Sequence, residues 1–290
     1  MMRKKVIVAG ALVGTAIAVL VVVFWPATPP KILFAAYGDS YGEKPDFAGV
    51  EHRLPLRRAD LIRLTPNDLK ALNQEQLDQL YARLTAGPIP DGPFNGDVLR
   101  PDDAPLDRIA ETVGGLQGMA VKFKRGKLRM VMNTLWQGKV FYRNERVLRN
   151  RIENLAVLQP LIDTNLANLP KVTVGGKDAW LLFPAKLYCG QSLVDGRRES
   201  IVVDYAFADD IEGYREMPDF LAGRHGFKVR DELRMVRPGF YLGRAYLDRV
   251  FAWNFTLTNE GHAERDGGAF VSGRGQEDCW SGTQRVAAAR

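Results

Sequence analysis

Two segments of the chain set carboxylates among apolar residues at the spacing of β-strands. In IVVDYA, residues 201–206, alternation puts Ile201, Val203 and Tyr205 on one face and Val202, Asp204 and Ala206 on the other. In RDELRM, residues 230–235, Asp231 shares a face with Leu233 and Met235, opposite Arg230, Glu232 and Arg234. If Leu233 and Met235 face an apolar interior, Asp231 faces it too, and a buried carboxylate is costly unless paired or hydrogen-bonded. Arg197 and Arg198 beside a hairpin turn, and Arg244 or Tyr241 on the next strand, are the available partners. Asp204, Asp231, Tyr241 and Arg244 could hold the polar headgroup of an acyl or isoprenoid ligand, or form an ion-pair network that fixes strand register. Trp136 and Trp253 add aromatic surface of the kind that lines ligand cavities, or that packs a small barrel against itself.

Other chemistries find no support. The three histidines, His52, His225 and His262, stand in neither HExxH nor a Cys/His cluster, so no metal site is expected. GxSxG and phosphate-binding Gly-Lys loops are missing, and no cofactor is expected. Asp39 and Ser40 in YGDSYG read as a turn, as do Ser192 and Asp195 in GQSLVDG. His262, Glu264 and Asp266 lie in NEGHAERDGG, which reads as a polar loop. Cys189 and Cys279 are the only cysteines; they could form a disulfide tying the C-terminal tail to the central sheet, or remain two buried thiols.

The elements that would position these residues are mostly strands. Apolar runs at 181–188, 201–206 and 239–246, separated by turn formers, argue for antiparallel sheet, possibly curled into a barrel. Trp136 to Phe141 reads as a strand in which Gly138 permits a bulge. Gly175-Gly176 reads as a hairpin turn, and a short strand fits near Phe94 to Leu99. One helix is expected from Thr65, with Thr65 as N-cap, Pro66 at N1 and Asp68 at N3. Leu69, Leu72, Leu77, Leu80 and Leu84 form its apolar stripe, and Thr85 to Pro88 stops it. Residues 31–63 read as loop or an ordered wrap, and residues 106–135 fit either a helix or a hairpin about Arg125-Gly126.

Residues 6–25 carry no charge and follow Arg3, Lys4 and Lys5, so that, beside a cleaved signal or a buried helix, they fit the pattern of a retained single-pass signal-anchor. It implies an inner-membrane location, a membrane partner, and a main domain outside the cytoplasm, in the periplasm. Three basic residues of the formal +6 belong to that tail, leaving +3 elsewhere, so nucleic-acid binding is not expected. With 46% hydrophobic and 26% charged residues, the chain is one that folds.

The segments WQGKVF (136–141), VDGRRESIVVDY (194–205) and RDELRMVRPGFYLGRAY (230–246) together resemble an uncharacterised bacterial family of membrane-anchored, β-rich domains. The resemblance covers roughly the second half of the chain and implies a domain rather than a reaction. The Trp136-x-Gly138 opening is also similar to that of small-ligand barrels of the lipocalin kind.

The expected fold is therefore α+β: an antiparallel β-barrel or strongly curled sheet with N-terminal helices and one transmembrane helix. Residues 1–30 would be tail and anchor, 31–105 a loop and helical segment, and 106–290 the β-rich domain. The expected function is a membrane-anchored, extracytoplasmic domain that binds an apolar small molecule or lipid through Trp136, Asp204, Asp231, Tyr241, Arg244 and Trp253. The alternatives are an enzyme acting on a lipid-like or small ester substrate, and an interaction domain with a protein partner and no ligand.

Overall fold

Alternating residues in the second half of the chain do build a barrel. The computed structural model describes residues 32–36, 46–99, 136–155, 171–174 and 176–282. Their strands are β1 (Gly92–Leu99), β2 (Trp136–Tyr142), β3 (Val147–Ile152), β4 (Val172–Val174), β5 (Lys177–Gln191), β6 (Glu199–Asp204), β7 (Val229–Arg237), β8 (Phe240–Leu247) and β9 (Val250–Thr258). Every pairing is antiparallel. The wall runs β1-β2-β3-β5-β6-β7-β8-β9, and β9 pairs back onto β1. This is a closed eight-stranded up-and-down barrel, on the general plan of the lipocalins, with β4 added beside β5.

Helices flank the wall. They are α1 (Phe47–Arg53), α2 (Arg58–Leu61), α3 (Pro66–Lys70) and α4 (Gln74–Arg83), with a helical turn α5 (Glu216–Asp219) and a longer α6 (Glu260–Val271). The single helix expected from Thr65 is two. Thr65 and Asp68 form the expected capping box, but Asn73 and Gln76 form a second one that starts α4 afresh. Leu77, Leu80 and Tyr81 of α4 are completely buried against the wall. Arg234, also completely buried, points outward from β7 into this layer, donating to the carbonyls of Tyr81 (3.0 Å) and Arg198 (2.9 Å) and to the Ser200 hydroxyl (3.0 Å). The segment around His262 is not a loop either. Asn259 caps it by accepting from the Gly261 amide, and Phe270 buries its far end, which offsets its glycines.

The membrane expectations are corrected. Residues 6–25 lie outside the described residues, as do Asp39-Ser40 and residues 106–135. Among the described residues no helix is long and apolar enough to cross a membrane. The longest, α6, has 12 residues, which at 1.5 Å each falls well short of a hydrocarbon core of about 30 Å. The fold is α+β with N-terminal helices and a closed barrel. The transmembrane helix, signal-anchor, inner-membrane and periplasmic placement and membrane partner are not supported.

One glycine sets the parity of β2. The register slips between Trp136 and Gly138, where φ reaches +140°, and a Cβ there would strike the Phe94 carbonyl. Gly138→Ala should therefore cost about 3 kcal/mol in urea unfolding, against about 1 kcal/mol for Gly176→Ala, whose positive φ meets no neighbour. Equal losses would mean that the bulge has no steric basis.

Candidate functional site

The slipped register turns Lys139 into the barrel. Its Nζ donates to Asp231 Oδ2 at 2.9 Å, to the Tyr205 hydroxyl at 2.6 Å and to Asn150 Oδ1 at 2.9 Å. Lys139 and Asp231 come from β2 and β7, which are not neighbours in the wall, so they meet across the interior. The Tyr205 hydroxyl in turn donates to Asp231 (3.2 Å) and receives the Asn150 amide (3.0 Å). Trp136 Nε1 donates to Asn150 Oδ1 at 2.9 Å. The rings of Trp136, Tyr205 and Phe255 stand 5.3, 5.4 and 5.6 Å from the ammonium, which is cation–π range. Burial pushes the Lys139 ammonium down while Asp231 pulls it back, and burial followed by Asp231 pushes the Tyr205 hydroxyl well up.

The cluster is a polar island in an otherwise apolar core. Beneath the cluster, Trp136 and Phe255 meet edge to face with centroids 5.3 Å apart, and their rings fill the room left by Gly96 and Gly243. An apolar guest at the cluster would have to displace Lys139 and leave Asp231 unpaired in the interior.

Open volume lies at the base instead. A cleft of about 820 Å³ is bounded by the segment Pro88 to Asp91 leading into β1, the β2–β3 and β7–β8 turns, α6, and the strap that follows α6. Ile89, Met235, Tyr241 and Phe270 give it an apolar floor, and Arg143, Arg265 and Arg274 a basic rim. Arg143 pairs with Asp278 (2.7 Å) and Arg265 with Asp266 (2.9 Å), whereas the Arg274 guanidinium donates to the Ser272 hydroxyl (3.1 Å) and to no carboxylate among the described residues. His262 lies among them, its Nδ1 2.8 Å from Arg265 and its ring 5.3 Å from that of Phe94. Burial and then Arg265 push its imidazole below its ordinary value.

The strap is tied down at several points. Glu277 accepts from the Thr85 hydroxyl and the Gly87 amide, and Asp278 accepts from the Ile89 amide. A disulfide joins Cys279 to Cys189 of β5, with Cα atoms 5.3 Å apart. Glu199 approaches both sulfurs closely enough to complete a three-ligand group, but sulfurs bonded to each other are not thiolate ligands.

The residues singled out from sequence are scattered. Trp136 and Asp231 lie in the interior cluster. Tyr241 lies in the cleft, its hydroxyl donating to the Pro88 carbonyl at 2.7 Å. Asp204 faces outward and accepts from the Tyr188 hydroxyl at 2.8 Å. Arg244 faces α4, where it pairs with Asp78; burial alone would lower it, but Asp78 and Tyr246 hold it well above the ordinary value. Trp253 is partly buried against the core. Arg197 and Arg198 bind Glu51 of α1 rather than Asp231. Lys139, Asn150 and Tyr205 were not selected, although Lys139 and Tyr205 stand inside the same segments as Trp136 and Asp204.

No protein-family model matches the chain, and no curated protein sequence matches it. A solved structure, a protein from Thermomonospora curvata, is similar at a TM-score of 0.33 and 14% identity, over 65% of this chain and 88% of that one. This likeness assigns no activity.

Proposed function

We propose that the protein is a small-molecule-binding barrel and that its ligand, an anion with an apolar body, occupies the basal cleft. The cleft's volume of about 820 Å³ carries this reading. It falls within the range of about 300–1,000 Å³ typical of small-molecule sites, and a lining more polar than apolar, with several basic groups, suits an anion with a modest apolar body. The floor residues would cover the apolar part, while Arg274, Arg265 and His262 would receive the charge. A membrane plays no part in this reading.

Anilinonaphthalene sulfonate, an aromatic anion, is a suitable probe. It should bind at one site, and Arg274→Ala and Arg265→Ala should each weaken binding about 5- to 10-fold, close to 1 kcal/mol apiece. Affinity should also rise as pH falls from about 7.5 to about 5. The free His262 is held below its ordinary 6.5 by burial and Arg265, and a bound anion raises it, so binding takes up a proton in that window. Asp91 and Asp266, which also face it, oppose its lowering. His262→Gln should flatten the dependence. Binding indifferent to all three substitutions would place the probe elsewhere and remove the proposal.

A further inference from the structure

The interior cluster takes no part in the cleft, and its composition points to a different chemistry. A primary amine attacks a carbonyl only through its free lone pair, so it must be able to shed a proton inside the protein. It also needs an acid–base group to carry protons, and a donor to hold the oxygen of the tetrahedral adduct. All three occur around one nitrogen. Lys139 Nζ touches the Asp231 carboxylate at 2.9 Å and the Tyr205 hydroxyl at 2.6 Å, and the Asn150 amide reaches that hydroxyl at 3.0 Å. Aromatic rings and burial surround the ammonium and favour its neutral form, with Asp231 as the opposing influence.

We propose that Lys139 is a carbonyl-reactive amine that condenses with small aldehydes or ketones. The Nζ proton passes to Asp231, and the freed lone pair attacks the carbonyl carbon. The carbon–oxygen π pair moves onto oxygen, which takes a proton from the Tyr205 hydroxyl, and one of the two N–H protons of the adduct returns to the Tyr205 phenolate to give a neutral carbinolamine. Asp231 then protonates the carbinolamine hydroxyl, which leaves as water as the nitrogen lone pair forms the double bond to carbon, and the iminium keeps its last N–H proton beside the Asp231 carboxylate. One ammonium and one carbonyl give one iminium and one water, with no oxidant or reductant. The substrate must be small. The Lys139 side chain is 3% exposed and its nitrogen is enclosed by Asp231, Tyr205, Asn150 and the aromatic rings, which restricts it to compounds of two or three carbons.

The wild-type protein can be tested directly with acetaldehyde and cyanoborohydride near neutral pH, followed by peptide mass mapping. Lys139 should become N-ethylated at least about 10-fold faster than Lys70 and Lys177, whose side chains are 45% and 70% exposed. Tyr205→Phe should slow Lys139 labelling about 10-fold, leave Lys70 labelling unchanged, and keep cooperative melting. Labelling of Lys139 no faster than that of Lys70, or only after unfolding in urea, would overturn the proposal. So would a Tyr205→Phe protein that folds and labels at the wild-type rate. Because the cleft is probed by anion binding, failure of either proposal leaves the other standing.

Discussion

Asp231→Asn unfolds in urea with about 3–5 kcal/mol less stability than the wild type. The substitution keeps the shape of the side chain and one oxygen for Tyr205, but strips the counter-charge from Lys139, whose side chain is 3% exposed. An ammonium confined among Trp136, Phe255 and Tyr205 then has only neutral partners. Lys139→Met is expected to cost a similar amount by leaving the carboxylate with Tyr205 alone. Lys139→Met combined with Asp231→Leu should recover most of the loss, because neither charge is then left behind. The double-mutant cycle therefore carries a large coupling, set by the penalty of an orphaned buried charge. Single substitutions that cost less than about 1 kcal/mol would show that water or another group replaces the missing partner, and the cluster would not be the closed unit described.

The same pair shows where the sequence was legible and where it stopped. Leu233 and Met235 placed Asp231 inside the barrel through period-two spacing alone, which holds because β7 keeps its register along residues 230–235. Its partner was hidden. Counting by twos from Trp136 puts Gly138 and Val140 inward and Lys139 outward, but the slip at Gly138 reverses the count and turns Lys139 inward with Phe141. A glycine can mark such a bulge without stating that one occurs. Barrel closure was equally beyond local pattern, since β1 and β9 pair across more than half the chain. Asn73 followed by Gln76 was a readable capping box, missed because the leucine stripe runs through it. The basal cleft had no sequence signal of its own, being assembled from five separate segments that meet only once the barrel has closed.

Cys189→Ala with Cys279→Ala should cost about 4–5 kcal/mol, the other large effect. The bridge spans 90 residues, and closing a loop of that length removes conformational entropy from the unfolded chain, in the chain-entropy account, by about that amount. Folded contacts change little, because Glu277 still holds Thr85 and Gly87, and Asp278 still holds Ile89 and Arg143. The loss should therefore appear with an increased dependence of stability on urea, since the unbridged chain exposes more surface on unfolding. A second consequence separates this bridge from a purely stabilising one. Arg274, Gly275 and Gln276 line the cleft and lie just before the bridge, so loosening it leaves the carboxylate contacts and the backbone bonds of Asp278 to Gly87 and of Glu199 to Trp280 to hold one cleft wall. Anion binding in the double variant should become more salt-sensitive than in the wild type as the Arg143–Asp278 pair is screened. Unchanged salt sensitivity would mean that the strap keeps its place without the bridge, and that the disulfide acts on the unfolded chain alone.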